Sequence, residues 1–478
     1  MMKKNKTRAF LVIVSILVLQ ACAIFKLPQK EANTKLPSNY EDFQRDTSNT
    51  AKLSWQDFFE DPYLLNLIDS ALINNKELNI TLQKINMANN EILLRKGEYL
   101  PFVNGQVAAD GEKVGKYTRN GAVEENLAIK DGIENPKFLG NFQLGLSASW
   151  ELDVWKKLRN AKNAAILEYM ASVEGKNFLM TNLIAEVANS YYELLALDNQ
   201  LKNLEENISI QQNALAMVKL LLQSARVNSL AVNRFEAEVR KNQSEIFNIQ
   251  QDIFEVETRI NFLCGKSSSK VDRNAESFID LSPKLIAYGL PSDLLENRPD
   301  IRMAEQELEA AKLNIKVAKA KFFPSFGINA GIGFQAFNPK FLFNSPASIL
   351  GSVAGEMLAP LVNRNAIKAE YKNANSKQIQ AAFEYEQAII NGYREVVIQI
   401  SKINNMQKNY ELKKQQVELL TQSIEIANDL FQSARADYME VLLTQRDALE
   451  AKMNLIASKK EQMKASIDLY RALGGGWQ

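Results

Sequence analysis

The chain has 478 residues, 46% hydrophobic and 24% charged, and its 57 basic residues almost cancel 56 acidic ones for a net charge of +1. That suits a folded chain two or three ordinary domains long, and without a basic excess it excludes the electrostatic footprint of a nucleic-acid binder. With no histidine and no Gly-x-Ser-x-Gly elbow, triad hydrolysis and histidine metal ligation are excluded, so neither an enzyme nor a cofactor is expected.

Lys3, Lys4, Lys6 and Arg8 precede a short apolar run, Ala9 to Leu19, and then Leu19-Gln20-Ala21-Cys22. This is the order of a secretory signal over residues 1–21, too short for the ~20 residues that span a bilayer. Ending in a cysteine after a small residue, it resembles a bacterial lipobox, with Gln20 a departure, and makes Cys22 the expected lipidation site; Ala23 in place of an aspartate resembles an outer-membrane address. Cys264, between Leu263 and Gly265, reads as a small buried hydrophobe. No disulfide is then available, and packing and assembly must hold the exported chain together.

Residues 22–75 read as a lipid-anchored arm, extended over 23–65 and pinned by Trp55, Phe58, Phe59, Pro62 and Tyr63. A helix follows from Asn75-Lys76-Glu77 to Gly97. Beyond Pro101 the period changes: Val103, Gly105, Val107 and Ala109, then Phe142 to Trp150, alternate apolar with small or polar residues, the signal of membrane-barrel strands. Between them Asp110 to Gly140 is a charged, exposed loop. From Lys156 to Gln223 runs a helix of roughly 100 Å, closed by a tight turn and a return helix of about 36 residues ending at Gly265. Residues 266–296, with Pro283, Gly289 and Pro291, read as a linker and small belt.

The pattern then starts again. Asn297-Arg298-Pro299-Asp300 opens a helix, with Asn297 as cap, Pro299 in the first turn and Asp300 at the positive end. Phe326 to Phe334 and Ile349 to Met357 alternate as strands, and a second long helix runs from Asn365 to Gln432. Gln223-Ser224-Ala225-Arg226 returns as Gln432-Ser433-Ala434-Arg435 at an offset of 209, without a gap over the long helices. A seven-residue stripe does the same, from Val187 through Leu194, Leu201, Ile208 and Leu215 to Leu222, and from Val396 through Ile403, Tyr410, Val417 and Ile424 to Phe431. Such a stripe is a coiled-coil seam. The expected fold is mainly α with membrane β: a two-fold repeat (76–265 and 297–478), a long coiled-coil barrel, and a transmembrane β-barrel drawing four strands from each chain. Four strands cannot close, because open edges in lipid leave backbone groups unsatisfied. Two chains would give a barrel filled by side chains and three a twelve-strand barrel with a water-filled lumen, which the Gly- and Ser-rich face favours. A homotrimer is expected.

The order of elements, the Asn297-Arg298-Pro299-Asp300 start, Phe323-Pro324 ahead of the strand, and the close Leu469-Tyr470-Arg471-Ala472-Leu473-Gly474-Gly475-Gly476-Trp477 resemble the TolC-like outer-membrane efflux channels, in their OprM- and CusC-type lipoprotein branch. The resemblance covers nearly all of the mature chain. It implies a passive trimeric exit duct through outer membrane and periplasm, with a periplasmic membrane-fusion adaptor and an inner-membrane pump of the resistance-nodulation-division type as partners. It also implies that Arg226, Val227, Asn228 and Ser229, and Arg435, Ala436, Asp437 and Tyr438, are adaptor-docking periplasmic tips. The segment from Tyr438 to Arg446 is similar to the family's gate-bearing segment. Met439 stands where a constricting leucine is frequent, Arg446 where an arginine is, and Leu443 in place of a frequent aspartate. Asp437 or Glu440 then takes the acidic role, with Asp437, Met439, Glu440 and Arg446 the gate candidates. The other reading is a coiled-coil structural or adhesive lipoprotein without transport; it explains the heptads and Cys22 but not the paired alternating strands.

Overall fold

The computed structural model describes residues 25–40, 48–362, 364–433 and 435–477; the signal segment 1–21, Cys22 and Ala434 lie outside them. The described chain is mostly helical. Its main elements are α1 (Pro62–Asn74), α2 (Lys76–Tyr99), β1 (Phe102–Glu112), β2 (Leu139–Leu152), α3 (Lys157–Gln223), α4 (Ser229–Leu263), α5 (Pro299–Ala320), β3 (Ser325–Ala336), β4 (Ile349–Leu358), α6 (Asn365–Gln432) and α7 (Tyr438–Ala472). Two compact units emerge. Of the described residues, one holds 25–31, 87–169 and 306–382; the other holds 32–86, 170–305 and 383–477.

The first unit is built on an antiparallel sheet in the order β1-β2-β3-β4. All four strands lie where the alternation puts them. Their lengths of 11, 14, 12 and 10 residues meet or exceed the ~9–11 that a tilted strand needs to cross a bilayer. The register stacks like on like. Val107, Leu144, Phe334 and Ile349 share one row, and Gly105, Leu146, Ile332 and Gly351 the next. That face therefore carries apolar side chains and glycine. The other face carries Gln106, Gln143, Ser147, Asn329, Gly331 and Ser352, which line a hollow of 320 Å³. Gly145 stands opposite Gly333, where a Cβ on Gly333 would strike the Leu144 carbonyl oxygen. The two strands approach too closely there for any side chain. Aromatic residues mark both ends of the sheet, as they do at membrane interfaces. Trp150 donates its indole N–H to Tyr99 O at 3.1 Å and Trp155 donates to Pro324 O at 2.7 Å, while Phe334 and Phe337 meet Phe343 and Phe341 at the other. The charged link between β1 and β2 is not plain loop. It folds a helix, Arg119–Asn126, capped by Thr118 on Gly121 N, and a small hairpin, Ala128–Lys130 with Ile133–Glu134.

The arm is extended only in its first part. Gln378, fully buried, accepts from Lys30 N and donates to Lys30 O. Asn375 donates to Pro28 O and Phe25 lies edge-on to Tyr371. In the second unit, the last residues read as extended arm, 62–65, instead open a helix, Pro62–Asn74. Asp61 accepts from Tyr63 N and Leu64 N as its N-cap, Pro62 fills the first turn, and Leu64, Ile68 and Ala71 are buried. The unit's core gathers these with Trp55, Phe58, Phe59, Tyr191, Leu194, Val256, Phe278, Ile467 and Tyr470. Trp55, Phe58 and Phe59 are the expected pins, and Phe58 stacks on Tyr470 at 4.0 Å. Cys264 is buried as expected, its thiol pushed up by desolvation.

Two contacts in this unit have the same form. Gly265 and Gly474 sit at φ +67 and +91, and a Cβ on either would collide with the carbonyl oxygen of Asn74 or of Asn297 respectively. Beside the first, Asn75 donates to Leu263 O and accepts from Leu78 N. Beside the second, Arg298 donates to Ala472 O at 2.7 Å. Asn297 is therefore not the cap of α5. It ends a short helix, Leu294–Asn297, and its carbonyl accepts from Trp477 Nε1 at 3.1 Å. Arg298, 4% exposed, also holds Asp300 with two bonds of 3.0 and 2.7 Å and Glu395 with one of 2.8 Å. Replacing Arg298 with Ala leaves those carboxylates without their buried cation, a loss of about 3–5 kcal/mol. Arg298→Lys should restore little of it, since one ammonium cannot fork to three partners. Denaturant midpoints of the folded protein check both; an unchanged midpoint for Arg298→Ala would remove the residue from this role.

Candidate docking and gating tips

The tight turns α3–α4 and α6–α7 explain why four residues repeat. Ser224 Oγ donates back to Leu220 O at 3.1 Å and Ser433 Oγ to Asp429 O at 2.8 Å. Arg226 N donates to Leu221 O at 2.9 Å and Arg435 N to Leu430 O at 2.8 Å. Each pair is equivalent under the 209-residue offset. These bonds satisfy the last helical carbonyls and turn the chain through Ala225 at φ 55, a Schellman-type stop.

Beyond the stop the two turns diverge. Asn228 accepts from Ala231 N at 3.2 Å and caps α4. Asp437 occupies the same position ahead of α7 with extended backbone, but its carboxylate makes no capping bond. It lies exposed beside a cleft of 710 Å³ lined by both turns: Arg226 and Val227 from the first, Ala436, Asp437 and Tyr438 from the second. An apolar cluster ties them together, with Val218, Ala231, Val232, Phe235 and Leu442 buried and Val227 and Tyr438 half-buried against them. Met439 accepts from Arg234 Nη1 at 3.3 Å across the two turns. Of the remaining candidates, Ser229 starts α4, Arg435 is exposed, and Glu440 lies in the first turn of α7. Arg446 is not joined to Asp437 within one chain; it pairs with its neighbour Asp447 at 3.1 Å. One residue that the sequence reading passed over also lines the cleft. Gln445 is 3% exposed and its Oε1 has no partner. Its position between Leu442 and Leu449, three and four residues from buried apolar neighbours, marks a polar residue in a seam.

Coiled hairpins of this length, on a chain that also carries a sheet with one apolar and one polar face and aromatic ends, define a channel-forming class of membrane protein. The chain belongs to the outer membrane efflux protein family, whose model matches residues 67–266 and 290–475. It is an efflux protein of the outer membrane. It is 26% identical to the pyoverdine export outer membrane protein OpmQ of Pseudomonas aeruginosa, over 98% of this chain and 96% of OpmQ. To the cation efflux system protein CusC of Escherichia coli it is 27% identical, over 97% of both chains. A crystal structure of CusC superposes with a TM-score of 0.81 at 26% identity, covering 94% of this chain and 99% of that one. The probable outer membrane lipoprotein SilC of Salmonella typhimurium is 26% identical over 88% of each chain.

The two caps should separate by experiment. Asn228→Ala removes a cap bond worth about 1 kcal/mol, so amide exchange in the first turn of α4 should quicken roughly fivefold. Asp437→Ala should leave the first turn of α7 within about twofold, because no cap bond is lost. Hydrogen-exchange mass spectrometry of tip peptides reads both, and equal acceleration would contradict the difference in capping.

Proposed function

We propose that three copies of this chain close into one passive duct. It has a twelve-strand membrane barrel and coiled hairpins, and carries small molecules outward from a periplasmic membrane-fusion adaptor and an inner-membrane pump of the resistance-nodulation-division type. The observation that carries this reading is the sheet. It has an apolar face for lipid, a hollowed polar face for water, and two open edges, β1 and β4, that lipid does not tolerate. A structural coiled-coil lipoprotein has no use for it. The chain divides into a signal at 1–21, an arm at 22–75, a first repeat at 76–265, an equatorial linker at 266–296 and a second repeat at 297–478. The paired helix lengths, 67 and 68 residues for α3 and α6 and 35 each for α4 and α7, support the two repeats. So do the two glycine contacts on Asn74 and Asn297. Lipidation at Cys22 gains support from the likeness to SilC, itself described as a probable lipoprotein.

Mild-detergent extracts should contain one species of three chain masses that conducts steadily in planar bilayers, and Cys22→Ala should lose its fatty-acyl label. A clean monomer that keeps its strands, or a trimer without conductance, defeats the duct.

Both turns dock the adaptor, and the second turn closes the lumen. Its free carboxylate supports this: Asp437 is not engaged in capping and is available to Arg446 of a neighbouring copy. Exposed pairs of that kind are worth about 0–1 kcal/mol each, so a ring of them yields to adaptor contact. Asp437→Ala with Arg446→Ala should raise resting conductance at unchanged trimer yield, while Asn228→Ala should not. A leak in the first-turn variant alone would put the gate on the wrong turn.

A further inference from the structure

The two corners where a strand runs on into a long helix are built differently. Between β2 and α3, Asp153 accepts from Leu158 N at 2.9 Å and Arg159 N at 3.0 Å, and pairs with Arg159 Nε at 3.1 Å. The 209-residue offset carries Asp153 to Val362 and Arg159 to Lys368. Between β4 and α6 the acid has therefore become an apolar side chain, 87% exposed. Lys368 is left without an ion pair among the described residues, as is Lys372.

Apolar residues lead straight into cationic ones at this corner. Met357 closes the apolar rows of the sheet, opposite Phe326. Leu361, 68% exposed, and Val362 follow, and then Arg364, Lys368 and Lys372. Arg364 lies over the Phe322 ring at 4.9 Å, and its carbonyl accepts from Lys368 N at 2.9 Å. Steps of four along this helical run set the three cations on one stripe. The neighbouring stripe, Tyr371, Asn375 and Gln378, holds the arm at Phe25, Pro28 and Lys30. Glu370 is the one acid between Leu358 and Glu384. It lies about 160° round the helix from Lys368 and is engaged by Lys321. The cleft on the polar side of the sheet takes Arg95, Lys157 and Lys321 among its lining and nothing from α6.

We propose that the β4–α6 corner binds an anionic phospholipid, its acyl chains against Met357, Leu361 and Val362 and its phosphate among Arg364, Lys368 and Lys372. The apolar part continues the membrane face of the sheet. The cations begin where that face ends, and Lys372 lies only about 12 Å along the helix from Arg364. Helical side chains lean toward the N-terminus, here the membrane side, and long lysine stems carry their charge further that way. Cations so placed attract anionic headgroups. The proposal rests on the membrane-crossing reading of the sheet and needs neither the trimer nor the gate.

The full chain in mild nonionic detergent, mixed with equal phosphatidylglycerol and phosphatidylcholine of the same acyl chains and weighed by native mass spectrometry, tests it. The wild-type chain should retain phosphatidylglycerol roughly fivefold over phosphatidylcholine. Lys368→Gln with Lys372→Gln should bring the two lipids within about twofold of each other. Val362→Asp should do the same, because it restores the acid of the other corner and leaves every cation in place. Lys113→Gln with Lys340→Gln, at the far end of the sheet, should keep the preference. A wild-type chain without preference, or a preference that Val362→Asp leaves intact, overturns the proposal; should the double glutamine variant fail to fold, Val362→Asp decides alone. Inorganic phosphate that displaces the lipid, where chloride of equal ionic strength does not, would assign the corner to a soluble anion and overturn it too. Alkaline carbonate that strips the wild-type chain from phosphatidylcholine vesicles defeats the membrane-crossing reading itself. A chain that stays in the vesicles but shows no lipid preference defeats only this proposal.

Discussion

A buried guanidinium is tolerable only if its charge and its N–H groups are matched, and at Arg298 the match joins three elements. Its bonds reach Asp300 at the start of α5, Glu395 on α6 and the carbonyl of Ala472 at the end of α7. Gly392 leaves it room, since a Cβ there would stand 3.0 Å from Nε. Arg302, one turn on, lies over the Trp477 ring at 5.3 Å and reaches Glu174 on α3 at 2.5 Å. One cluster thus fixes where a short helix begins, where a return helix ends, and how both meet the long helices. Desolvation opposes the charged form of Arg298, and the two carboxylates hold its pKa above the usual value in spite of it.

The first half solves the same problem without charge. Asn75 donates to the carbonyl of Leu263, which is the counterpart of Ala472, and the crowded glycine and carbonyl recur as Gly265 and Asn74. A neutral amide spans one carbonyl and one helix-start amide at 3.0 Å each. The arginine adds two acids to that role and brings in a third segment of chain, α6. Equivalent geometry with unequal chemistry is possible here because the backbone approach is common to both contacts and the side chain is free to differ.

That contact was only half legible in the sequence. Period made the elements plain: alternation set the four strands within a few residues, and the seven-residue stripe with its constant offset set the long helices and turns. Single letters misled where one residue type serves two geometries. Asn297 has the look of a cap, yet it ends the preceding helix, because Arg298 and its carboxylates need the extended position that follows. Asn228 and Asp437 look alike as caps, and only the first is one. Pro62 reads as one of the pins of an extended arm, although Asp61-Pro62 is equally the signature of a capped helix start, which is what folds. Gln211 and Gln445 give no sign of a role in the sequence, because a polar residue at a seam position shows its purpose only when its partner is known.

Gln211 shows what such a residue does. It is fully buried on α3, and its Oε1 accepts from Asn242 on α4, itself 4% exposed, at 2.8 Å. An apolar seam with a seven-residue period packs almost as well after a slip of one period, and such a slip moves one helix past the other by about 10 Å. The buried amides oppose it, since a shifted register would leave each of them against apolar side chains at about 1–3 kcal/mol. The stakes of register lie at the turns. The cluster of Val218, Phe235 and Leu442 and the bond from Arg234 to Met439 exist only if both hairpins end at one level. On this argument a polar pair that weakens the seam locally sets the height at which the turns meet, and with it the shape of the cleft that they share.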